Sequence, residues 1–162
     1  DTETLYKSLD EGRCDAATSD KSQLAGQRAS LVKNPNDYVV LEETMSKEPL
    51  TPMVAQNDSQ WRDILAYVVY ATFYAEEAGI TSKNVDQMKT SDDPNLKNFF
   101  GVTNDLPKKA GFPTNDAFFN VIKLVGNYGE IYERNLIKLG IPRGFNALYT
   151  KGGLVYAPPL RP

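Results

Sequence analysis

The chain has 162 residues, 41% of them hydrophobic and 24% charged, a composition typical of a globular protein with a sizeable core. The formal net charge of −3 argues against nucleic acid as a partner, because binding a phosphate backbone needs a basic surface. Histidine is absent and cysteine occurs once, which excludes Ser-His-Asp triads, imidazole metal ligands and zinc-binding cysteine pairs. We expect no catalytic residue, no metal site and no cofactor.

Neither a membrane span nor a signal peptide is evident. The longest apolar run, "ILAYVVYATFYA" at 64–75, is too short to cross a bilayer. The chain opens on the polar "DTET", which lacks the pattern of a secretory signal. We expect that the chain is cytoplasmic or that its front end has been removed.

The first 32 residues predict a helix, a strand and a second helix. "TETLYKSLDEG" (2–12) is a short amphipathic pattern that ends on a glycine, and "DAATS" (15–19) follows as a short buried strand. "DKSQLAGQRASLV" (20–32) then predicts a helix, with Leu24 and Leu31 seven residues apart.

The next segments predict two extended stretches and a long helix. "YVVLEE" (38–43) is rich in β-branched residues and predicts a strand. "PLTPMVAQ" (49–56) contains two prolines, which remove ladder donors, so it predicts an edge strand or a crossing segment. Helical spacing of apolar residues then predicts a helix from about Ser59 to Ala78, ending at Gly79.

Helices dominate the remainder of the chain. Short helices are predicted at 82–91 and 93–101, and one long helix is predicted at 115–140, weakened but not ended by Gly126 and Gly129. The tail at 152–162 is predicted to be extended and is proline-rich. The strand candidates all lie in the first 56 residues. We therefore expect an α/β fold, with this chain as the helix-rich second half of a larger protein.

Asp20 is the main candidate for a binding residue. It follows the predicted strand, and ligands of open α/β sheets sit beyond the carboxyl ends of strands. A carboxylate there would pair with a ligand ammonium group. Asp20 also has the spacing of a helix capping box with Gln23, and on the residues alone this structural role is favoured. We assign Asp15 to a turn or a local ion pair.

The remaining candidates have structural explanations. Cys14 is a small buried hydrophobe if the protein is cytoplasmic, whereas in an exported protein an odd cysteine indicates a partner elsewhere. "GNYGE" (126–130) has no preceding strand, which favours helix packing over a phosphate loop. For Glu76, Glu77 and Glu130 we expect a solvated face, because nothing in the sequence brings them together.

Six stretches in fixed order cover essentially the whole chain and together carry a family resemblance. They are "GRCDAATSD" (12–20), "SKEPLTPMV" (46–54), "DSQWRDIL" (58–65), "AEEAGIT" (75–81), "VGNYGEIYERN" (125–135) and "RGFNALYTKGGLVYAPP" (143–159). The chain resembles the C-terminal half of the periplasmic amino-acid-binding proteins of ABC transporters, and among them the general L-amino-acid-binding proteins.

The resemblance implies a fold of two α/β lobes that are joined by hinge strands and hold a ligand between them. Residues 1–48 would be the C-terminal portion of the second lobe, and 49–56 the hinge crossing. Residues 57–162 would complete the first lobe and form a helical tail. The N-terminal half, which carries the groups for the ligand α-carboxylate, would lie outside this chain.

The resemblance also implies roles for two residues. The family motif that matches 12–20 ends in an aspartate that grips the α-ammonium group of the bound amino acid, which is Asp20 here. This reverses the preference for a purely structural Asp20. Cys14 resembles a family cysteine that forms a disulfide with an upstream strand, so its partner would lie outside this chain.

The function implied is extracytoplasmic capture of L-amino acids in the periplasm for uptake by an ABC transporter, without enzymatic activity. The partners would be an L-amino acid and the transmembrane permease subunits. Self-association, or pairing with the missing N-terminal half, is also expected from the few strands. Two alternatives stay open: a dehydratase-like periplasmic enzyme on the same scaffold, and a helical protein-interaction domain.

Overall fold

A computed structural model describes residues 1–30 and 32–160 of the chain, which form two compact units. The first unit contains Asp1–Leu50 and Asn135–Pro142. The second contains Thr51–Arg134 and the described residues from Arg143 onward. No described helix is both long enough and apolar enough to span a bilayer.

The first unit contains two described α-helices, α1 (Thr2–Asp10) and α2 (Lys21–Ser30). The Asp1 carboxylate begins α1 by accepting a hydrogen bond of 2.8 Å from the Thr4 N–H, and Tyr6 is the buried side chain of this helix. The helix α2 packs against a 3-10 turn at Ile137–Leu139. Both predicted helices are confirmed, although Leu31 lies outside the described residues.

The predicted strands at 15–19 and 38–43 are wrong for this chain, and so is the edge-strand alternative for 49–56, since all three segments lack regular secondary structure. The crossing alternative for 49–56 stays a prediction. Among the described residues the only β pairing is an isolated parallel bridge between Leu148 and Val155. A strand is stable only beside a hydrogen-bonded neighbour, and no other described segment takes that place next to these three. Local β propensity alone therefore leaves them irregular.

The second unit begins with the long helix α3 (Ser59–Glu77), which has the predicted limits to within a residue. The Asp58 carboxylate accepts from the Trp61 N–H at 3.0 Å and so begins the helix. Gly79 has a φ of +67° and stands just beyond the end of α3. Five shorter helices follow: α4 (Val85–Lys89), α5 (Pro94–Phe99), α6 (Leu106–Lys109), α7 (Ala117–Val125) and α8 (Tyr128–Asn135).

The single long helix predicted at 115–140 is wrong, because α7 ends at Gly126 and α8 starts at Tyr128. Gly126 has φ +80° and ψ −179°, a conformation that only glycine adopts readily. The short helix α6 was not predicted. The predicted helices at 82–91 and 93–101 are confirmed as α4 and α5.

An aromatic cluster forms the core of the second unit, where α3 packs against α7. The Phe99 ring stacks against Tyr74 at 4.7 Å between centroids and against Phe118 at 5.6 Å. Small residues of α3 make room for these rings. The buried set is Ala71, Ala75, Ile80, Val85, Leu96, Phe99, Phe100, Leu106, Phe118 and Ile122.

Candidate functional site

Asp20 stands immediately before α2 with an exposed side chain. Its backbone carbonyl accepts the first helical hydrogen bond, from the Leu24 N–H at 2.9 Å. Among the described residues, no hydrogen bond or ion pair reaches the Asp20 carboxylate. The carboxylate is therefore an available acceptor at the start of a helix, where the macrodipole favours negative charge.

The capping box predicted between Asp20 and Gln23 is not formed. The Ser19 hydroxyl donates to Gln23 Oε1, and Gln23 Nε2 donates to Thr2 Oγ1 at 3.5 Å. The Gln23 side chain is thus held by the residue before Asp20 and by the start of α1. Because the Gln23 side chain is bonded to Ser19 and Thr2, it does not bind the Asp20 carboxylate.

Cys14 carries a free, half-buried thiol six residues before Asp20. It is the only cysteine in the sequence, so a disulfide within this chain is impossible. Its neighbour Arg13 pairs with Glu11 at 2.8 Å, and Asp15 is exposed. A bridge from Cys14 to a cysteine outside this chain stays a prediction.

Glu130 is the centre of a polar cluster in the second unit that the sequence did not predict. Its carboxylate accepts from the Asn127 N–H at 2.9 Å, while Asn127 Oδ1 accepts from the Glu130 N–H at 2.9 Å. This reciprocal pair is a capping box that starts α8. Ser82 adds a hydroxyl bond of 2.6 Å and a backbone N–H bond of 3.0 Å to the same carboxylate, and Asn127 Nδ2 donates to the Ile80 carbonyl at 2.7 Å.

The hydrogen bonds determine the ionisation of Glu130. Burial raises its pKa, but the donors on Ser82 and Asn127 outweigh burial and hold the pKa of the carboxyl below its ordinary value. A carboxylate that is already satisfied by so many donors serves as a structural anchor, not as a general base.

Arg143 forms a second polar cluster with Glu76. Its Nη2 donates to Glu76 Oε2 at 3.0 Å, and its Nε and Nη2 donate to the Asn146 carbonyl at 3.0 and 2.7 Å. The guanidinium also lies 5.2 Å from the Tyr128 ring centroid and 5.1 Å from that of Tyr132. These contacts attach the segment after residue 143 to α3 and α8.

The solvated face expected for Glu76, Glu77 and Glu130 is therefore wrong for two of them. Glu76 is bound by Arg143 and Glu130 by Ser82, while exposed Glu77 accepts from the backbone N–H of residue 157 at 2.7 Å. Within the described chain they form no shared acid–base pair. The sequence feature that predicts this role of Glu130 is the Asn-x-x-Glu spacing of "NYGE", which is typical of a helix start.

A shallow depression of about 480 Å³ lies beside the start of α3 in the second unit. Its lining residues include Asp63, which pairs with Arg62 at 2.8 Å, and Lys109. Asp20 does not line it. No convergent set of polar groups in this depression indicates a ligand, and Asp20 remains the binding candidate.

No family model matches the chain. It is 52% identical, over 94% of its length, to the general L-amino acid-binding periplasmic protein AapJ of Rhizobium johnstonii. It is 44% identical, over 93%, to the glutamate/glutamine/aspartate/asparagine-binding protein BztA of Rhodobacter capsulatus. It is 43% identical, over 96%, to the putative amino-acid ABC transporter-binding protein YhdW of Escherichia coli. The aligned regions are 46%, 45% and 46% of these relatives, so the chain spans about half of their length.

A solved structure agrees with the sequence comparison. The chain matches an ABC transporter periplasmic binding protein from Brucella ovis with glutathione bound, with a TM-score of 0.92 and 43% identity. The match covers 99% of this chain and 51% of the Brucella chain. The expected fold class is thereby confirmed, with this chain as the helix-rich part of a periplasmic binding protein fold. The chain is accordingly a homologue of the amino-acid-binding periplasmic proteins of ABC transporters, corresponding to about half of their length.

Proposed function

We propose that this chain is the C-terminal half of a periplasmic solute-binding protein that captures L-amino acids for an ABC transporter. The observation that carries the proposal is the 52% identity to a protein named for general L-amino-acid binding, over nearly the whole chain. We use the term complete protein for this chain joined to the part that its relatives have in addition.

The proposed role of Asp20 is to accept hydrogen bonds from the α-ammonium group of the ligand. Its exposed carboxylate, which no described donor occupies, supports this role. The ligands in the relatives' names fit it as well, because glutamate, glutamine, aspartate and asparagine all carry an α-ammonium group. Glutathione does too, on its γ-glutamyl residue. Recognition of this shared head group is compatible with varied side chains.

The remaining parts of the proposal follow from membership of a two-lobe binding protein. Residues 1–48 would belong to the second lobe, 49–56 to the hinge crossing, and 57–162 to the first lobe and its tail. Lobe closure on the ligand would create the surface that docks on the permease. Cys14 would be bridged in the periplasm to a cysteine outside this chain. The protein would act by binding alone, without catalysis.

Calorimetric titration of the complete protein with a panel of L-amino acids tests the proposal. We expect saturable one-site binding of several amino acids. Analogues without an α-ammonium group, such as 2-oxo acids, should bind much more weakly. A complete, folded protein that binds no member of the panel would contradict the proposed function.

A further inference from the structure

A notch lies in the second unit where the loop that follows Arg143 meets the end of α3. It has a volume of about 380 Å³ and is lined by Glu77, Tyr149, Tyr156 and Ala157. The two tyrosines are 59% and 64% exposed. Among the described residues, neither phenol hydroxyl makes a hydrogen bond, and neither ring makes an aromatic or cation–π contact. Both tyrosines are therefore available to a partner.

The loop that carries the two tyrosines is held in one conformation by its backbone. The Tyr149 N–H donates to the Val155 carbonyl at 2.9 Å, and the Val155 N–H donates to the Ala147 carbonyl at 3.1 Å. A Cβ on Gly153 would lie 1.9 Å from the same Ala147 oxygen, so the loop closes in this way only around a glycine. Because the backbone is already ordered, a partner would bind these tyrosines without the entropy loss of ordering a loop.

Glu77 adds a negative charge to the notch. Its Oε1 accepts from the Ala157 N–H at 2.7 Å, which fixes the side chain. Within the described part of the chain, no donor reaches its Oε2 and no cation pairs with it. The one cation of the loop, Lys151, does not line the notch. A carboxylate beside two free tyrosine faces attracts cations, because the faces of aromatic rings are negative as well.

An arginine side chain matches the chemistry of this notch. Its guanidinium is planar, stacks on aromatic faces and donates hydrogen bonds to a carboxylate. An open notch covers little of a small free cation. A protein segment would add contacts with the rest of the loop, in which Leu154 is 61% exposed. The favoured occupant is therefore an arginine that belongs to a protein segment with apolar neighbours.

We propose that Glu77, Tyr149 and Tyr156 form a binding site for an arginine side chain of a partner protein. The guanidinium lies against the two tyrosine rings and donates to Glu77 Oε2. The site shares no residue with the proposed contact of Asp20, which belongs to the first unit. This inference does not depend on the proposed function.

NMR titration of the complete protein, with labelled tyrosine rings, tests this inference. The probe is the peptide acetyl-Leu-Arg-Leu-amide, which has no free α-ammonium group and so cannot use the proposed amino-acid contact. The ring signals of Tyr149 and Tyr156 should shift and saturate. The same peptide with citrulline, which keeps the shape of arginine without its charge, should bind about tenfold more weakly. Methylguanidinium, which has the cation alone, should also bind more weakly than the arginine peptide.

Two variants identify the groups that bind the probe. Glu77→Gln keeps an acceptor for the Ala157 N–H, so it should fold like wild type while binding the arginine peptide about tenfold more weakly. Lys151→Ala is the matched control and should not weaken binding, because Lys151 does not line the notch.

The inference would be overturned by unshifted tyrosine signals, by equal binding of the citrulline peptide, or by a Glu77→Gln variant that binds like wild type. Equal binding of methylguanidinium would exclude a partner protein as the occupant. Shifts that occur in the 162-residue chain but not in the complete protein would also overturn it, because the remaining half would then cover the notch. Failure to bind amino acids would count only against the proposed function.

Discussion

The guanidinium of Arg143 shows how a single residue holds several segments in place. Its side chain is 22% exposed and that of its partner Glu76 is 9% exposed. A Cβ on Gly129 would lie 3.0 Å from the Glu76 carboxyl carbon and 3.2 Å from Arg143 Nη1. A side chain at residue 129 would therefore push this pair apart by a few tenths of an ångström.

Arg143→Ala should destabilise the chain by about 2–4 kcal/mol, because it leaves the largely buried Glu76 carboxylate without its cation. Urea unfolding measures the loss. Lys151→Ala is the matched control, because Lys151 is an exposed cation on the same segment. A loss no larger than that of the control would contradict the assignment of Arg143 as an anchor.

The ionisation of Glu130 makes the stability of the folded chain depend on pH. Its pKa is lowered in the folded state, so its stabilising contribution is fully present above the ordinary glutamate pKa of about 4.3 and is lost as the pH falls through the folded value. Glu130→Gln should therefore be most destabilising at neutral pH, and the deficit should shrink in acid.

Denaturant unfolding of wild type and Glu130→Gln across that pH range checks this expectation. Glu133→Gln, which removes an exposed carboxylate from the same helix, controls for the general effect of one lost charge. A Glu130→Gln deficit that stays constant from neutral to acid pH would show that the carboxylate's hydrogen bonds are not the source of its stability.

At the scale of elements, the break between α7 and α8 depends on Gly126. A Cβ there would lie 2.8 Å from Glu130 Oε2 and 3.0 Å from Glu130 Cβ, so both the backbone conformation and the space require glycine. The break turns the chain so that Asn127 and Glu130 can cap the next helix.

Gly126→Ala should lower the free energy of unfolding by about 1–3 kcal/mol through backbone strain alone. The contact between the added Cβ and Glu130 should lower it further. Gly140→Ala is the matched control, since Gly140 also has a positive φ of +76° but nothing within 4 Å of a Cβ. Gly140→Ala should lower the free energy of unfolding by about 1 kcal/mol. Thermal or urea unfolding measures the loss of stability in both variants. Equal losses would mean that the contact between the Cβ at residue 126 and Glu130 is relieved with no loss of stability.

The elements that could be predicted are those whose signals are local. The limits of α3 were predicted from the helical spacing of its apolar residues and from Gly79 beyond its end. The segments at 15–19 and 38–43 have strand-like sequences, but a strand depends on a partner that no local pattern reveals. The break at Gly126 was missed because helical spacing continues through it, although the Asn127 and Glu130 spacing was readable.

At the scale of the whole molecule, the chain carries one residue that is proposed to bind the amino-acid ligand, and it spans about half of its relatives' length. Asp20 could be chosen from its position and from the family motif, and the structure leaves its carboxylate unoccupied among the described residues. Its proposed ligand contact stays a prediction. The groups that would bind the ligand carboxylate could not be predicted, because the chain covers only about half of its relatives' length.

The most direct test of the proposed binding role combines Asp20→Asn with removal of the ligand's ammonium group, by calorimetry on the complete protein. With L-glutamate, which BztA's name gives as a ligand, the substitution should lower affinity by the equivalent of about 1.5–3 kcal/mol, the strength of a charged hydrogen bond. With 2-oxoglutarate, which lacks the ammonium, it should change affinity little, and Asp15→Asn should change neither. An equal loss for both ligands, or no loss for L-glutamate, would contradict the claim that Asp20 recognises the amino-acid head group.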